Sequence, residues 1–199
     1  MEKISTLNRI CELLKKPAFT VSEARNLGVS PAHLGYYIRK GIIKRLGRGI
    51  YQSIDYQGSI ENFRWEDLIE AVHSIPNGVV CLISALALYE LTDEIPRQHW
   101  IAVSHSTTIH RGEAIRIVRL RDINTGKTEI NLGEILIPIF DRERTIIDSF
   151  RLLSRETAIK AMKMALSSKS KEKLDLRKLQ QYAKKLRFNI APYLMTATT

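Results

Sequence analysis

Long apolar runs are absent from the 199 residues of this sequence. A membrane-spanning helix needs roughly 18 or more predominantly apolar residues in a row, and no stretch of the chain supplies them. Residues 1–4 also lack the apolar stretch of a signal peptide. We therefore expect a cytoplasmic protein.

Cysteine is scarce as well. The two cysteines, Cys11 and Cys81, lie far apart in the sequence, and their separation matches neither a metal-ligand spacing nor a redox motif. The sequence therefore predicts two reduced thiols, no bound metal and no cofactor.

The usual catalytic motifs are missing too. The chain has no P-loop and no Gly-x-Gly-x-x-Gly string. Ser84 follows a β-prone segment but lacks the flanking glycines of a nucleophile elbow, so we expect it to cap a helix. His99, His105 and His110 lack the helical pairing or the cysteine partner that a zinc site requires.

Three carboxylates in the middle of the chain leave one enzymatic alternative open. Asp141, Glu143 and Asp148 could serve a metal-dependent nucleic-acid enzyme. No nuclease-like Glu-x-Lys follows a strand, however, and Asp141 suits a helix cap. Arg144 suits an ion pair with a neighbouring carboxylate. We therefore predict no enzymatic activity and keep the nucleic-acid enzyme as an alternative.

Positive charge is plentiful and lies at the two ends of the chain, whose net charge is +10. Residues 1–55 carry ten Lys and Arg against four Asp and Glu, and residues 151–199 carry twelve against three. Residues 56–150, in contrast, carry nine against fourteen. This distribution favours a polyanionic partner at one or both ends, with a solvated basic face as the alternative.

Local signals predict a winged helix-turn-helix over residues 1–55. Apolar spacing predicts a helix over residues 4–15 that ends at Pro17. A short strand at Phe19–Thr20 precedes a helix from Ser22, its expected cap, to Leu27. A turn is predicted at Gly28. The next helix is predicted to begin after the cap Ser30 and to run to about Lys40, with Gly41 just past its end. A hairpin is predicted over 42–52, with its tight turn at Gly47–Gly49.

A linker at 53–59 separates this unit from a second predicted domain over 60–199. Its expected helices are 62–74, 85–91, one that begins at Asp141, and two basic helices at 155–167 and 174–187. Its expected strands are 79–83, 100–103, 115–120, 128–132 and 135–140. The predicted fold class is α+β, a winged helix-turn-helix followed by a larger mixed α/β domain that ends in basic helices.

The first domain has the residues of a DNA reader. We expect Ala24 to allow close crossing of the two helices, and Leu27, Val29, Leu34 and either Tyr37 or Ile38 to face the core. Glu23 occupies a position that is apolar in many such motifs, so we expect Val21 to take that role. The residues predicted to bind DNA lie on the third helix and the wing: Ser30, Ala32, His33, Tyr36, Tyr37, Arg39, Lys40, Lys44, Arg45 and Arg48. A winged helix that binds a protein partner is the alternative.

A second group of cations lies near the C-terminus and can form a further positive surface. Its members are Lys160, Lys163, Arg177, Lys178, Lys184, Lys185 and Arg187.

Three strings resemble the AbiEi antitoxins of abortive-infection systems. They are residues 19–51, Phe-Thr-Val-Ser-Glu-Ala through Gly-Arg-Gly-Ile-Tyr; residues 84–96, Ser-Ala-Leu-Ala-Leu-Tyr-Glu-Leu-Thr-Asp-Glu-Ile-Pro; and residues 141–148, Asp-Arg-Glu-Arg-Thr-Ile-Ile-Asp. Many winged helices share the first string, and the second and third together are much more specific.

This resemblance implies a type IV toxin–antitoxin role, with an AbiEii-like nucleotidyltransferase as the toxin and no stable complex required between the two. It also implies a repressor that binds inverted repeats in the promoter of its own operon. Antitoxic activity and some DNA contact would lie in the basic C-terminal helices.

Overall fold

The computed structural model describes residues 6–16, 18–47, 49–56, 65–108, 113–132, 135–167 and 172–197. The chain divides into two compact units. Unit 1 comprises residues 1–77 with 131–136, and unit 2 comprises residues 78–130 with 137–199. The domain limits predicted above stay a prediction.

Unit 1 combines short helices with a three-stranded antiparallel sheet. Its elements are α1 (Thr6–Arg9), α2 (Cys11–Leu14), β1 (Phe19–Thr20), α3 (Val21–Asn26), α4 (Pro31–Arg39), β2 (Ile43–Gly47), β3 (Ile50–Ser53) and α5 (Glu66–His73). Strand β3 lies in the centre of the sheet, between β1 and β2. The predicted hairpin is therefore present, with a bulge between Arg45 and Gly47.

Two local predictions in unit 1 are wrong. The single helix expected over 4–15 is broken at Ile10, whose backbone leaves the helical region while its side chain is fully buried. The cap of α3 is Thr20 and not Ser22. Thr20 Oγ1 accepts the amide hydrogen of Glu23, and the Glu23 carboxylate accepts the amide hydrogen of Thr20 at 2.8 Å. This reciprocal capping box satisfies two amides at once, which a Ser22 cap would not.

The core of unit 1 joins the helices to the sheet. Its buried residues are Ile10, Leu13, Phe19, Ala24, Val29, Leu34, Tyr37, Ile43 and Tyr51.

Unit 2 is a mixed five-stranded sheet with helices. Its elements are β4 (Val79–Val80), α6 (Leu82–Leu88), β5 (His99–Ser104), β6 (Ile115–Leu120), β7 (Lys127–Leu132), β8 (Ile135–Phe140), α7 (Arg142–Leu152), α8 (Arg155–Leu166), α9 (Leu176–Lys185) and α10 (Ala191–Ala197). The strand order is β6-β5-β4-β8-β7. Strand β4 runs parallel to β8 and antiparallel to β5, and β5 runs parallel to β6. The mixture of helices and sheets predicted for the chain is confirmed.

Two predictions in unit 2 need correction. The strand expected over 79–83 ends at Val80, and α6 begins at Leu82, so Ser84 lies inside the helix and does not cap it. Ser84 Oγ instead accepts the amide hydrogen of Trp100 at 2.9 Å, which ties α6 to β5. Helix α10 extends as far as Ala197.

The start of α7 is held by a buried ionic network. Asp141 caps the helix, as predicted, by accepting the amide hydrogen of Arg144 at 2.8 Å. The Arg144 guanidinium pairs with Asp148 at 2.6 Å and donates to the carbonyls of Thr125 and Asp122 at 2.8 and 2.9 Å. The predicted pairing of Arg144 with a neighbouring carboxylate is therefore confirmed.

Among the described residues, none of the helices combines the length and the apolarity that crossing a bilayer demands.

Candidate nucleic-acid interface

Helices α3 and α4 are joined by a tight turn at Gly28. The amides of Gly28 and Val29 close the end of α3 by donating to the carbonyls of Arg25 and Ala24 at 2.8 and 2.9 Å. Gly28 has φ +77°, a conformation that glycine adopts without strain. Ala24 is fully buried, as expected for a small residue at a close helix crossing. The expectation that Leu27 faces the core is wrong, because Leu27 lies at the C-terminal cap of α3 and is 40% exposed.

Helix α4 begins where the sequence predicts. Ser30 Oγ accepts the amide hydrogen of His33, and Pro31 occupies the first helical position. The helix ends at Arg39, and Gly41 follows with φ +68°. These signals act within a few residues, so packing does not disturb them.

The two faces of α4 differ in burial. Leu34 and Tyr37 are buried, at 0% and 5% exposure, whereas Tyr36 is 47% exposed. The exposed residues are Pro31, Ala32, His33, Tyr36, Ile38, Arg39 and Lys40. The burial of Tyr37 settles which of Tyr37 and Ile38 faces the core, and it corrects the prediction that the Tyr37 side chain binds DNA.

A cation and an aromatic ring lie side by side on the exposed face of α4. Lys40 Nζ lies 5.8 Å from the centre of the Tyr36 ring, and Tyr36 makes an edge contact with Tyr37 at a centroid distance of 5.8 Å. The buried ring thus supports the exposed one, which limits the orientations that Tyr36 can take.

The β2–β3 hairpin carries two further predicted cations. Lys44 and Arg45 are both exposed, while Arg48 lies outside the described residues. Lys44 Nζ forms an ion pair with Glu70 Oε1 of α5 at 2.7 Å. No local sequence signal links Lys44 to Glu70, because the two residues lie 26 positions apart.

Arg9 is a second residue near the candidate interface that no sequence pattern predicts. A Cβ placed on Gly28 would lie 3.0 Å from Arg9 Nη1, so the exposed guanidinium of α1 lies beside the α3–α4 turn. No spacing rule could have predicted this neighbour, because Arg9 and Gly28 are separated by β1 and α3.

Glu23 is the carboxylate at the start of α3. Burial alone would raise the pKa of Glu23, but hydrogen bonds from Thr20 and Lys16 outweigh it and lower that pKa. Lys16 Nζ lies 3.0 Å from Glu23 Oε1. Glu23 therefore stays ionised, and its charge is partly neutralised by Lys16. The unusual polar residue at this position is a capping residue of α3.

The cations predicted to form a second positive surface belong to unit 2 and fall into two groups. Lys160 pairs with Asp93 at 2.7 Å, and Lys178 pairs with Asp141 at 3.0 Å and Glu143 at 3.3 Å. The others are exposed: Lys163, Arg177, Lys184, Lys185 and Arg187. Lys178 therefore ties α9 to α7 more than it contributes free positive charge.

Asp141 and Asp148, two of the carboxylates considered for an enzymatic site, form hydrogen bonds and ion pairs with neighbouring side chains. Asp141 Oδ2 accepts a hydrogen bond from the Tyr182 hydroxyl at 3.1 Å, and Asp148 lies between Arg144 and Arg151 at 2.6 and 2.7 Å. Within the described part of the chain, no group of three His, Cys, Asp or Glu side chains is arranged to hold a metal ion. His110 lies outside that part.

Comparison with known families assigns a class to this arrangement. Residues 9–54, which contain α3, α4 and the hairpin, match a family model described as a transcriptional regulator. The full description of that model is transcriptional regulator, AbiEi antitoxin, so the predicted resemblance to the AbiEi antitoxins is confirmed for residues 9–54. No curated protein matches the chain.

Proposed function

We propose that residues 1–55 form a winged helix-turn-helix that binds double-stranded DNA, with α4 in the major groove. The observation that carries this proposal is the division of α4 into two faces. Leu34 and Tyr37 anchor one face in the core, while hydrogen-bond donors and an aromatic ring are exposed on the other. A recognition helix needs this division, because its base-reading side chains must be both exposed and rigidly held.

The hairpin acts as the wing and contacts the DNA backbone. Lys44 and Arg45 are exposed on β2, and a contact by Arg48, which lies outside the described residues, stays a prediction. These cations position the protein on the duplex, and the face of α4 supplies specificity. Arg9, beside the α3–α4 turn, is a further candidate for a phosphate contact.

In this proposal two protomers bind an inverted repeat and repress the protein's own operon. The protein also acts as an antitoxin against an AbiEii-like nucleotidyltransferase, without forming a stable complex with that toxin. The family description, transcriptional regulator and antitoxin, supports this role. The exposed cations of α8 and α9 contribute a second contact with DNA. The protein needs no catalytic activity for any of these tasks.

DNA binding is tested by fluorescence anisotropy with duplexes selected from a random pool and with the DNA upstream of the gene. Arg39, Lys40, Lys44 and Arg45 supply four exposed cations per protomer, so log Kd should rise with log salt with a slope of about 3–4 per protomer. Arg39→Ala should weaken binding about tenfold if the guanidinium contacts a base or phosphate. Lys127→Ala, which removes one exposed charge from β7 in unit 2, is the matched control and should have little effect.

Two outcomes would contradict this proposal. The selected pool would fail to enrich any sequence over random duplex, or Arg39→Ala and Lys127→Ala would weaken binding equally. A stable stoichiometric complex between the protein and the product of the neighbouring gene would instead favour the protein-binding alternative.

The antitoxin role is tested by co-expression with that gene product in growing cells. Restored growth without co-purification is the expected result. Toxicity that the full chain does not relieve would refute the antitoxin role and leave DNA binding unaffected.

A further inference from the structure

The ring of His33 is held by the cap of its own helix. His33 Nδ1 lies 2.8 Å from Ser30 Oγ, and the same oxygen accepts the amide hydrogen of His33 at 3.4 Å. The side chain is exposed on the outer face of α4. In the described part of the protein, Nε2 has no hydrogen-bond partner, so this nitrogen is available to a ligand.

The hydroxyl proton of Ser30 decides which ring nitrogen carries hydrogen. A serine hydroxyl has one proton and two lone pairs. One lone pair receives the amide hydrogen of His33, and the structure provides Nδ1 as the acceptor for the proton. When the serine hydroxyl donates to Nδ1, the neutral imidazole carries its own hydrogen on Nε2. In the other tautomer the serine proton would have no acceptor among the described residues.

We propose that His33 is a specificity-determining residue that donates its Nε2 hydrogen to the N7 acceptor of a purine in the major groove. This inference rests on the proposed DNA binding and adds the base chemistry that α4 reads. Residues at the start of a recognition helix face the bases, and His33 is the third residue of α4. Cytosine presents a donor at this edge, so the Nε2 hydrogen selects against it.

Ser30 acts in this arrangement as a positioning residue. It does not need to touch the DNA, because it fixes the ring tautomer. Ser30→Gly removes the hydroxyl but leaves a residue that is still acceptable at a helix cap, and Ser30→Thr keeps both the cap and the hydroxyl. The two variants therefore separate the role of the hydroxyl from the integrity of the helix.

The experiment uses the full chain and the best duplex selected from a random pool. Each purine in turn is replaced by its 7-deaza analogue, which lacks the N7 acceptor, and each phosphate by a methylphosphonate. For the wild type we expect about a tenfold loss of affinity at one purine per half-site, the size of one hydrogen bond to a base. With His33→Ala or Ser30→Gly, the loss at that purine should fall below about threefold, and Ser30→Thr should restore it. Circular dichroism confirms that each variant keeps its helices.

The outcomes are distinguishable. If selection enriches no duplex, the proposed function fails before this inference is reached. If the wild type binds a selected duplex but no 7-deaza effect depends on His33, the inference is refuted while DNA binding stands. If the effect of His33→Ala appears only at a methylphosphonate, His33 contacts the backbone and the base assignment is wrong.

Discussion

Replacement of Asp148 by Asn should strongly destabilise unit 2, because it breaks a buried ion pair. The side chains of Arg144 and Asp148 are 1% and 2% exposed, and their atoms Nε and Oδ2 lie 2.6 Å apart. Asn has nearly the same volume as Asp, so the substitution removes the charge without opening a cavity. The guanidinium of Arg144 is then left buried without its counter-ion.

The size of the destabilisation depends on the hydrogen-bond partners that Arg144 keeps in Asp148→Asn. Loss of one partner of a buried ion pair typically lowers the free energy of unfolding by about 3–5 kcal/mol. The carbonyls of Thr125 and Asp122 still accept from Arg144, and the new amide oxygen can accept one bond. We therefore expect the lower end of that range, about 3 kcal/mol.

Denaturant unfolding followed by tryptophan fluorescence measures this change. The chain has two tryptophans, and Trp65→Phe leaves Trp100 of unit 2 as the single reporter. Asp93→Asn is the control, since the Asp93–Lys160 pair lies on the surface, at 73% and 54% exposure, and should contribute less than about 1 kcal/mol. Equal midpoints and equal m-values for Asp148→Asn and Asp93→Asn would refute the reasoning.

Three further predictions concern separate groups. Glu70→Gln should raise affinity for DNA about two- to fivefold and steepen the salt dependence, because it releases Lys44 from its ion pair for a phosphate. Only Cys11 should react with a thiol reagent in the native protein, because Cys81 is buried and burial raises the pKa of its thiol well above the usual value. The stability difference between wild type and Glu23→Gln should shrink as the pH falls from 6 to 3. Because the pKa of Glu23 is lowered in the folded protein, its contribution to the free energy of unfolding is complete above about pH 4.3, where an unfolded glutamate ionises. That contribution is lost as the pH falls through the pKa of Glu23 in the folded state.

Each of these has a control or a contrary result. Asp67→Asn is the control for Glu70→Gln, because it changes the net charge by the same amount on an exposed side chain of the same helix. It should leave the affinity for DNA unchanged. Equal effects of the two substitutions on DNA affinity would mean that only net charge matters. Two reactive thiols in the folded protein would contradict the burial of Cys81. A pH-independent difference for Glu23→Gln would show that its carboxylate does not stabilise α3 through its charge.

The elements that the sequence predicted well depend on neighbours in the chain. Ser30 and Pro31 start α4, Gly28 and Gly41 supply the positive φ angles of two turns, and Asp141 caps α7. The hairpin over 43–53 is likewise a local signal. A cap or a turn is decided by atoms within about four residues, so its energy is much the same in any fold.

The two errors in helix capping have different causes. Thr20 displaced Ser22 as the cap of α3 because Thr20 and Glu23 can satisfy each other's amides. Ser84 lies inside α6, where its hydroxyl oxygen accepts the amide hydrogen of Trp100. The Thr20-x-x-Glu23 pattern is a local capping signal that the sequence already carries, whereas the contact between Ser84 and Trp100 is visible only in three dimensions.

The amino-acid sequence by itself determined the basic ends of the chain, the helix-turn-helix signals of residues 18–52 and their resemblance to the AbiEi antitoxins. Only the tertiary structure decided that Tyr37 faces the core and Ile38 the solvent, that Glu70 neutralises Lys44, and that Arg144 is buried among carbonyls. The reason is physical: capping and turn preferences act along the chain, whereas burial and ion pairing depend on which distant segments fill the same space.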